Sequence, residues 1–115
     1  MSIQIKRAYD EVLASDGKRI LVDRLWPRGL KKEEAKIDLW PKDITPSTEL
    51  RKWYAHDPEH WEEFQQHYRA ELQSQAVLLQ QIRELAKQEK ISLITAAKTE
   101  SHNHVIVLKK VLEES

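Results

Sequence analysis

The sequence predicts a single α/β domain in which a small, mostly parallel sheet is flanked by helices. Its 115 residues suit one domain, because single domains commonly contain about 100–150 residues. Three short aliphatic runs have the pattern of strands, and stretches with helical periodicity lie between them. Strands that are separated by helical stretches are typical of layered α/β folds. We therefore expect residues 1–115 to form one layered unit.

Each predicted strand has its own signal. Ser2–Arg7 alternates apolar and polar residues, which is the period of a half-buried strand. Arg19–Asp23 is a short aliphatic run that follows a turn-forming sequence at residues 15–17. Ile91–Ala97 is apolar nearly throughout, as expected of a strand that is covered on both faces.

Four helices are predicted after the second strand. A short helix with Ser47 as its cap runs to about Tyr54. Asp57-Pro58-Glu59 is a start signal, and the helix after it places its aromatic residues on one stripe. The last two helices cover about Ser74–Gln88 and His102–Glu113. The Val-Ile-Val sequence in the last of these is equally compatible with a strand.

Composition excludes several classes of function. The chain has 19 basic and 19 acidic residues, two glycines and no cysteine. Without cysteine there is no disulfide, thiol nucleophile or cysteine-based metal site, and two glycines cannot form a glycine-rich phosphate loop. Balanced charge makes nucleic acid an unexpected partner, and short apolar runs predict neither a signal peptide nor a membrane span. The default expectation is a cytoplasmic protein, and the sequence identifies no cofactor.

The predicted topology groups three chemically rich segments at one edge of the sheet. The carboxyl ends of parallel strands share an edge, and ligands of open α/β sheets bind there. The segments that follow the three strands are residues 7–10, 23–29 and 98–104. They are far apart in the sequence, so we expect a polar pocket where the fold brings them together.

The run Asp23-Arg24-Leu25-Trp26-Pro27-Arg28-Gly29 is the most unusual of these segments. The planar fork of arginine matches carboxylate and phosphate groups, and tryptophan offers a flat surface to a base or ring. We expect Arg24 and Arg28 to hold an anion and Trp26 to form a wall of the pocket. The alternative is that Trp26 packs into the core while the arginines bridge carboxylates such as Asp23 or Asp43.

The segment after the third strand supplies further candidates. The start of a helix favours anions without any need for glycine, so Lys98 and Asn103 are candidate ligand-binding residues. Helix capping is the alternative role of Asn103. His56 and His102 are the candidate catalytic residues, because histidine exchanges protons near neutral pH. No metal site is predicted, since His102 and His104 lie on different sides of a helix.

These motifs resemble those of the YeaO-like family, which is also called domain of unknown function 488. The resembling motifs are the run at 23–29, Leu39-Trp40, Lys42-Asp43, Pro46-Ser47, Leu50-Arg51-Lys52-Trp53, His56-Asp57, Trp61, Phe64, Tyr68-Arg69, Ala96-Ala97-Lys98 and His102-Asn103-His104. The chain departs from the family at Thr95 and Thr99, where members often carry an aromatic and an acidic residue. The resemblance implies a small single-domain α/β protein and carries over no catalytic role, cofactor or substrate.

Two functions of different classes follow from these observations. The first is binding of a small anionic, nucleotide-like ligand at the strand carboxyl ends, with or without catalysis. The alternative is a non-catalytic interaction or regulatory module that docks through exposed tryptophans. Residues 37–75 carry 4 basic and 8 acidic side chains, and this acidic region contains three of the four tryptophans. The burial of the tryptophan rings is therefore the structural feature that separates the two functions.

Overall fold

A three-stranded parallel sheet forms the centre of the fold. It is seen in a computed structural model that describes residues 2–55, 57–97 and 102–114. The strands are β1 (Ile3–Arg7), β2 (Lys18–Leu21) and β3 (Ile91–Thr95), and their spatial order is β1-β3-β2. The last strand in the sequence is thus the central one, and both neighbours run parallel to it. The prediction of a parallel sheet is confirmed.

Some of the helical segments begin at residues whose side chains cap them. Within the described residues the α-helices are α1 (Lys32–Ala35), α2 (Thr48–Tyr54), α3 (Trp61–Gln73), α4 (Ala76–Gln88) and α5 (His104–Glu113). The Ser47 hydroxyl accepts a hydrogen bond from the amide of Leu50 at the start of α2. The Asp57 carboxylate accepts one from Glu59 in the 3₁₀ turn that leads into α3. The Val-Ile-Val sequence is part of α5, so the helical alternative for this segment is the correct one.

The two faces of the sheet are covered by different kinds of structure. Helices α2 to α5 pack on one face and form the larger core. The other face is covered by residues 26–40, in which Trp26 and Trp40 pack edge to face with their ring centroids 5.5 Å apart. The side chains of β3 are accordingly buried along its whole length. This confirms the prediction of a strand that is covered on both faces.

A buried charge cluster, consisting of Asp16, Lys6 and Arg19, lies beside the sheet. Asp16 is 1% exposed, and its carboxylate accepts hydrogen bonds from Lys6 Nζ at 2.8 Å and Arg19 Nη1 at 2.7 Å. The amide of Leu13 donates a third at 3.0 Å, and Arg19 Nε donates to the carbonyl of Ala35. Burial by itself would raise the pKa of Asp16, but these donors lower it to about 2.

The turn before β2 requires glycine. Gly17 has a φ of +67°, and a Cβ atom there would overlap the carbonyl oxygen of Lys90. That same oxygen accepts a hydrogen bond from the amide of Lys18 at 3.0 Å, which joins the start of β2 to the start of β3. The backbone of the turn therefore lies against the central strand with no room for a side chain.

Candidate functional site

A cavity of about 410 Å³ lies at the carboxyl ends of the strands. Tyr9 after β1, residues 23–28 after β2, and Ala96 and Ala97 after β3 line it, together with residues 102–104 at the start of α5. The remaining lining residues come from the helical face of the sheet and are Pro46, Arg51, Tyr54 and Phe64. The fold thus brings together the described parts of the three segments that follow the strands. A cavity of this volume is within the range of small-molecule sites.

Three arginines line the cavity, and their side chains are fixed to different extents. Arg24 is half-buried, and its guanidinium donates to the carbonyls of Pro46 at 3.0 Å and Thr45 at 3.4 Å. Arg28 and Arg51 are exposed, and neither guanidinium makes a hydrogen bond or ion pair within the described part of the chain. Their charges face the cavity without a protein partner among those residues. Arg51 was missed by the sequence reasoning, because it lies on α2 and not after a strand.

Trp26 packs in the smaller core and also lines the cavity, and its role in ligand binding stays a prediction. Its ring lines the cavity, but it is only partly exposed and packs against Trp40 in the smaller core. The indole Nε1 donates to the carbonyl of Leu30 at 2.6 Å, and the Tyr9 hydroxyl donates to the carbonyl of Arg28 at 2.8 Å. Residues 26–28 therefore form a fixed wall of the cavity, because one of these hydrogen bonds holds Trp26 and the other holds Arg28.

Asp23 is paired with His104 and not with an arginine. The carboxylate accepts hydrogen bonds from Thr95 Oγ1 at 2.6 Å and from the amide of Ala96 at 2.7 Å. His104 Nε2 lies 3.3 Å from Asp23 Oδ1 and 2.7 Å from the carbonyl oxygen of Val22. Because a carbonyl oxygen can only accept, Nε2 is the donor in its contact with Val22. The alternative in which an arginine bridges Asp23 is therefore wrong.

These contacts keep Asp23 ionised. Burial alone would raise the pKa of Asp23, but the hydrogen bond and charge interaction with His104 and the bonds from Ala96 and Thr95 lower it below its ordinary value. The side chain remains 17% exposed, toward the cavity that it lines. The pairing of Asp23 with His104 was missed, although their segments had been assigned to the same edge of the sheet.

Asn103 caps α5 and also lines the cavity. Its side-chain oxygen accepts hydrogen bonds from the amides of Val105 at 2.9 Å and Ile106 at 3.3 Å. The residue is 7% exposed. The capping alternative is therefore correct for Asn103, and it fixes the orientation of an amide at the edge of the cavity.

Of the two candidate catalytic histidines, only His102 lies within the described residues. His102 lines the cavity, its ring packs edge to face on Trp61 at 5.1 Å, and its carbonyl accepts a hydrogen bond from the Tyr54 hydroxyl. His56 lies outside the described residues, as does the ligand-binding candidate Lys98. In the ranges that the structure covers, no group of three histidine or acidic side chains is arranged to hold a metal ion. No helix in those ranges is long and apolar enough to cross a membrane.

The tryptophans are not equally exposed. Trp26, Trp40 and Trp61 pack against the two cores, whereas Trp53 on α2 is 41% exposed. The Trp53 ring lies 5.0 Å from that of His60 and 5.4 Å from that of His67. The acidic region thus has one exposed tryptophan, and a docking function for this region stays a prediction.

Sequence comparison assigns the chain to a family. A family model described as "Inactive DUF488-N3 subclade" matches residues 2–115. The chain belongs to this family. The uncharacterized protein YeaO of Escherichia coli K12 is 45% identical over 108 residues, which are 94% of each chain. An uncharacterized protein of Mycobacterium tuberculosis H37Rv is 37% identical over 110 residues, which are 96% of this chain and 92% of the relative. No solved structure matches the chain at a significant level.

The membership confirms the resemblance that the sequence motifs predicted. The matched range covers the arginine-rich run at 23–29, α2 with Arg51 and the start of α5. The described parts of all three line the cavity.

Proposed function

We propose that this protein binds a small organic anion of nucleotide size in the cavity at the carboxyl ends of the strands. The observation that carries the proposal is the set of three arginines around a cavity of about 410 Å³. Two of them, Arg28 and Arg51, have no ion-pair partner in the described ranges, so their charge is available to a ligand. Arginine pairs that converge from separate segments are well suited to bidentate binding of phosphate or carboxylate.

Each remaining candidate has a role in this proposal. Arg24 adds positive charge from a guanidinium that the carbonyls of residues 45 and 46 hold in place. Trp26 supplies a flat apolar wall for the ring or chain of the ligand, and Asn103 presents a fixed amide. Lys98, which follows β3 in the sequence, is the further cation that we assign to the site.

We favour binding without catalysis. The subclade to which the chain belongs is described as inactive, which supports a protein that holds its ligand without converting it. In this proposal His102 is a wall of the cavity, supported by its contact with Trp61, and no proton transfer is assigned to it or to His56.

The proposal is tested by ligand-induced thermal stabilisation, with adenosine monophosphate and inorganic phosphate as probes. Both probes should raise the Tm of the wild type above that in sodium chloride of equal ionic strength. Arg28→Ala and Arg51→Ala should each weaken binding about tenfold or more, because a charged hydrogen bond contributes about 1.5–3 kcal/mol. Lys52→Ala is the matched control, since Lys52 neighbours Arg51 on α2 but does not line the cavity.

The unliganded Tm separates a binding role from a structural one. Neither arginine makes a side-chain hydrogen bond to any other described residue, so both variants should melt with the wild type when no probe is added. Equal stabilisation of the wild type and both variants by the probes, or no stabilisation of any of them, would refute the proposal.

A further inference from the structure

The cavity contains one carboxylate among its arginines. Among the described residues that line it, Asp23 is the only acidic one. A second negative charge placed close to it would be repelled, and the repulsion is stronger in a partly buried site than in water. The anionic group of a ligand therefore belongs near Arg28 and Arg51, and another part of the ligand has to face Asp23.

Asp23 is held rigidly and carries its charge. Thr95, Ala96 and His104 approach its two oxygens at 2.6, 2.7 and 3.3 Å. An ionised carboxylate has about four positions for accepting hydrogen bonds, so three donors leave capacity for one more. Because the ionised group can only accept, the ligand atom that reaches it must be a donor.

Within the part of the chain that the structure describes, no lysine or arginine pairs with Asp23. Arg24 is its neighbour in sequence, but the Arg24 guanidinium donates to the backbone of residues 45 and 46. His104 donates its Nε2 proton to Val22 at 2.7 Å and reaches Asp23 only at the longer distance of 3.3 Å. Among the described residues, the charge of Asp23 is thus stabilised by hydrogen bonds and by the imidazole of His104, without a guanidinium or ammonium ion pair. A cationic ligand group would complete the site.

From this arrangement we infer that the ligand is a zwitterion, with its anionic group against Arg28 and Arg51 and an amine against Asp23. The inference rests on the proposed function and adds the chemical class of the ligand. The amine donates to the open position of Asp23, and the aromatic rings of Trp26 and Tyr9 around the cavity favour a cation nearby. Simple polyanions bind less well because they leave Asp23 without a donor.

The test uses a pair of ligands that differ only in the amine. In 3-aminopropylphosphonate an ammonium group stands where butylphosphonate has a methyl group, so size and anion are the same. Isothermal titration calorimetry should show about tenfold tighter binding of the amine by the wild type, as expected of a hydrogen bond between charged groups. In Asp23→Asn the ratio of the two affinities should fall to about one.

The outcomes distinguish the inference from the proposed function. Equal binding of the two phosphonates by the wild type, or tighter binding of butylphosphonate, overturns the inference and leaves the anion site in place. Failure of both phosphonates and of inorganic phosphate to bind overturns the proposed function as well. If Asp23→Asn does not fold, as judged by circular dichroism, the wild-type ratio alone decides. A ratio of about ten that persists in folded Asp23→Asn also overturns the assignment of the amine to Asp23.

Discussion

The buried charge cluster around Asp16 predicts a specific acid sensitivity of the fold. Lys6 and Arg19 donate to a carboxylate that is 1% exposed, and they lower its pKa from 3.8 to about 2. A group whose pKa is lowered by folding stabilises the folded state above its unfolded pKa. This contribution is lost as the pH falls through the folded pKa.

The size of the effect follows from the two pKa values. A pKa that folding lowers from 3.8 to about 2 corresponds to about 2 kcal/mol of stabilisation, since each pH unit is worth ~1.4 kcal/mol. The contribution is complete above about pH 4 and is gone near pH 2. Lys6→Met removes only one of the donors and should lower the free energy of unfolding by part of this amount, on the order of 1 kcal/mol, at pH 6, with the difference from the wild type closing toward pH 2.

Urea denaturation followed by circular dichroism between pH 6 and pH 2 measures this difference directly. Lys109→Met is the control, because it breaks an ion pair with Glu113 whose side chains are 31% and 45% exposed. Such a pair contributes less than about 1 kcal/mol. A constant gap between the wild type and Lys6→Met over the whole pH range would show that the ionisation of Asp16 is not stabilised by Lys6.

Two further predictions concern the glycine turn before β2 and the side-chain cap of α5. Gly17→Ala should lower the free energy of unfolding, measured by urea denaturation, by at least about 2 kcal/mol more than Gly29→Ala. Both glycines have a positive φ, but only Gly17 lies against Lys90. Similar losses would mean that the turn before β2 moves aside easily. Asn103→Ala should lower the free energy of unfolding by about 1 kcal/mol through loss of the α5 cap, and Asn103→Asp should retain most of it. The absence of any loss in the alanine variant would contradict the capping role.

Much of the fold was predictable because its signals are local. Ser47 and Asp57 are caps in the sequence and in the structure, and the alternation of Ser2–Arg7 marks β1. The position of β3 followed from its largely apolar sequence, which is typical of strands that are covered on both faces. Helix α1 was missed because a helix of four residues is too short to show a period.

The site was only partly predictable, because its contacts join residues that are far apart in the sequence. The grouping of the segments after the strands followed from the parallel sheet, and it placed Arg28 and Asn103 beside one cavity. The pairing of Asp23 with His104 depends on how the start of α5 meets the residues that follow β2, and no pattern in either segment predicts this contact. Arg51 reaches the cavity because α2 packs beside it, and this too depends on tertiary structure.

The strand order has a consequence for how the chain folds. β1 and β2 lie on either side of β3 and do not pair with each other, and β3 is the last of the three strands in the sequence. The pairing of Ile3 with Ile91 closes a loop of almost the whole chain, and the entropy of such closures slows folding. Helices α2 to α4 consist of local contacts and have left the ribosome before the sheet can begin. The cavity at the strand ends is therefore completed late, as a product of the final pairing step.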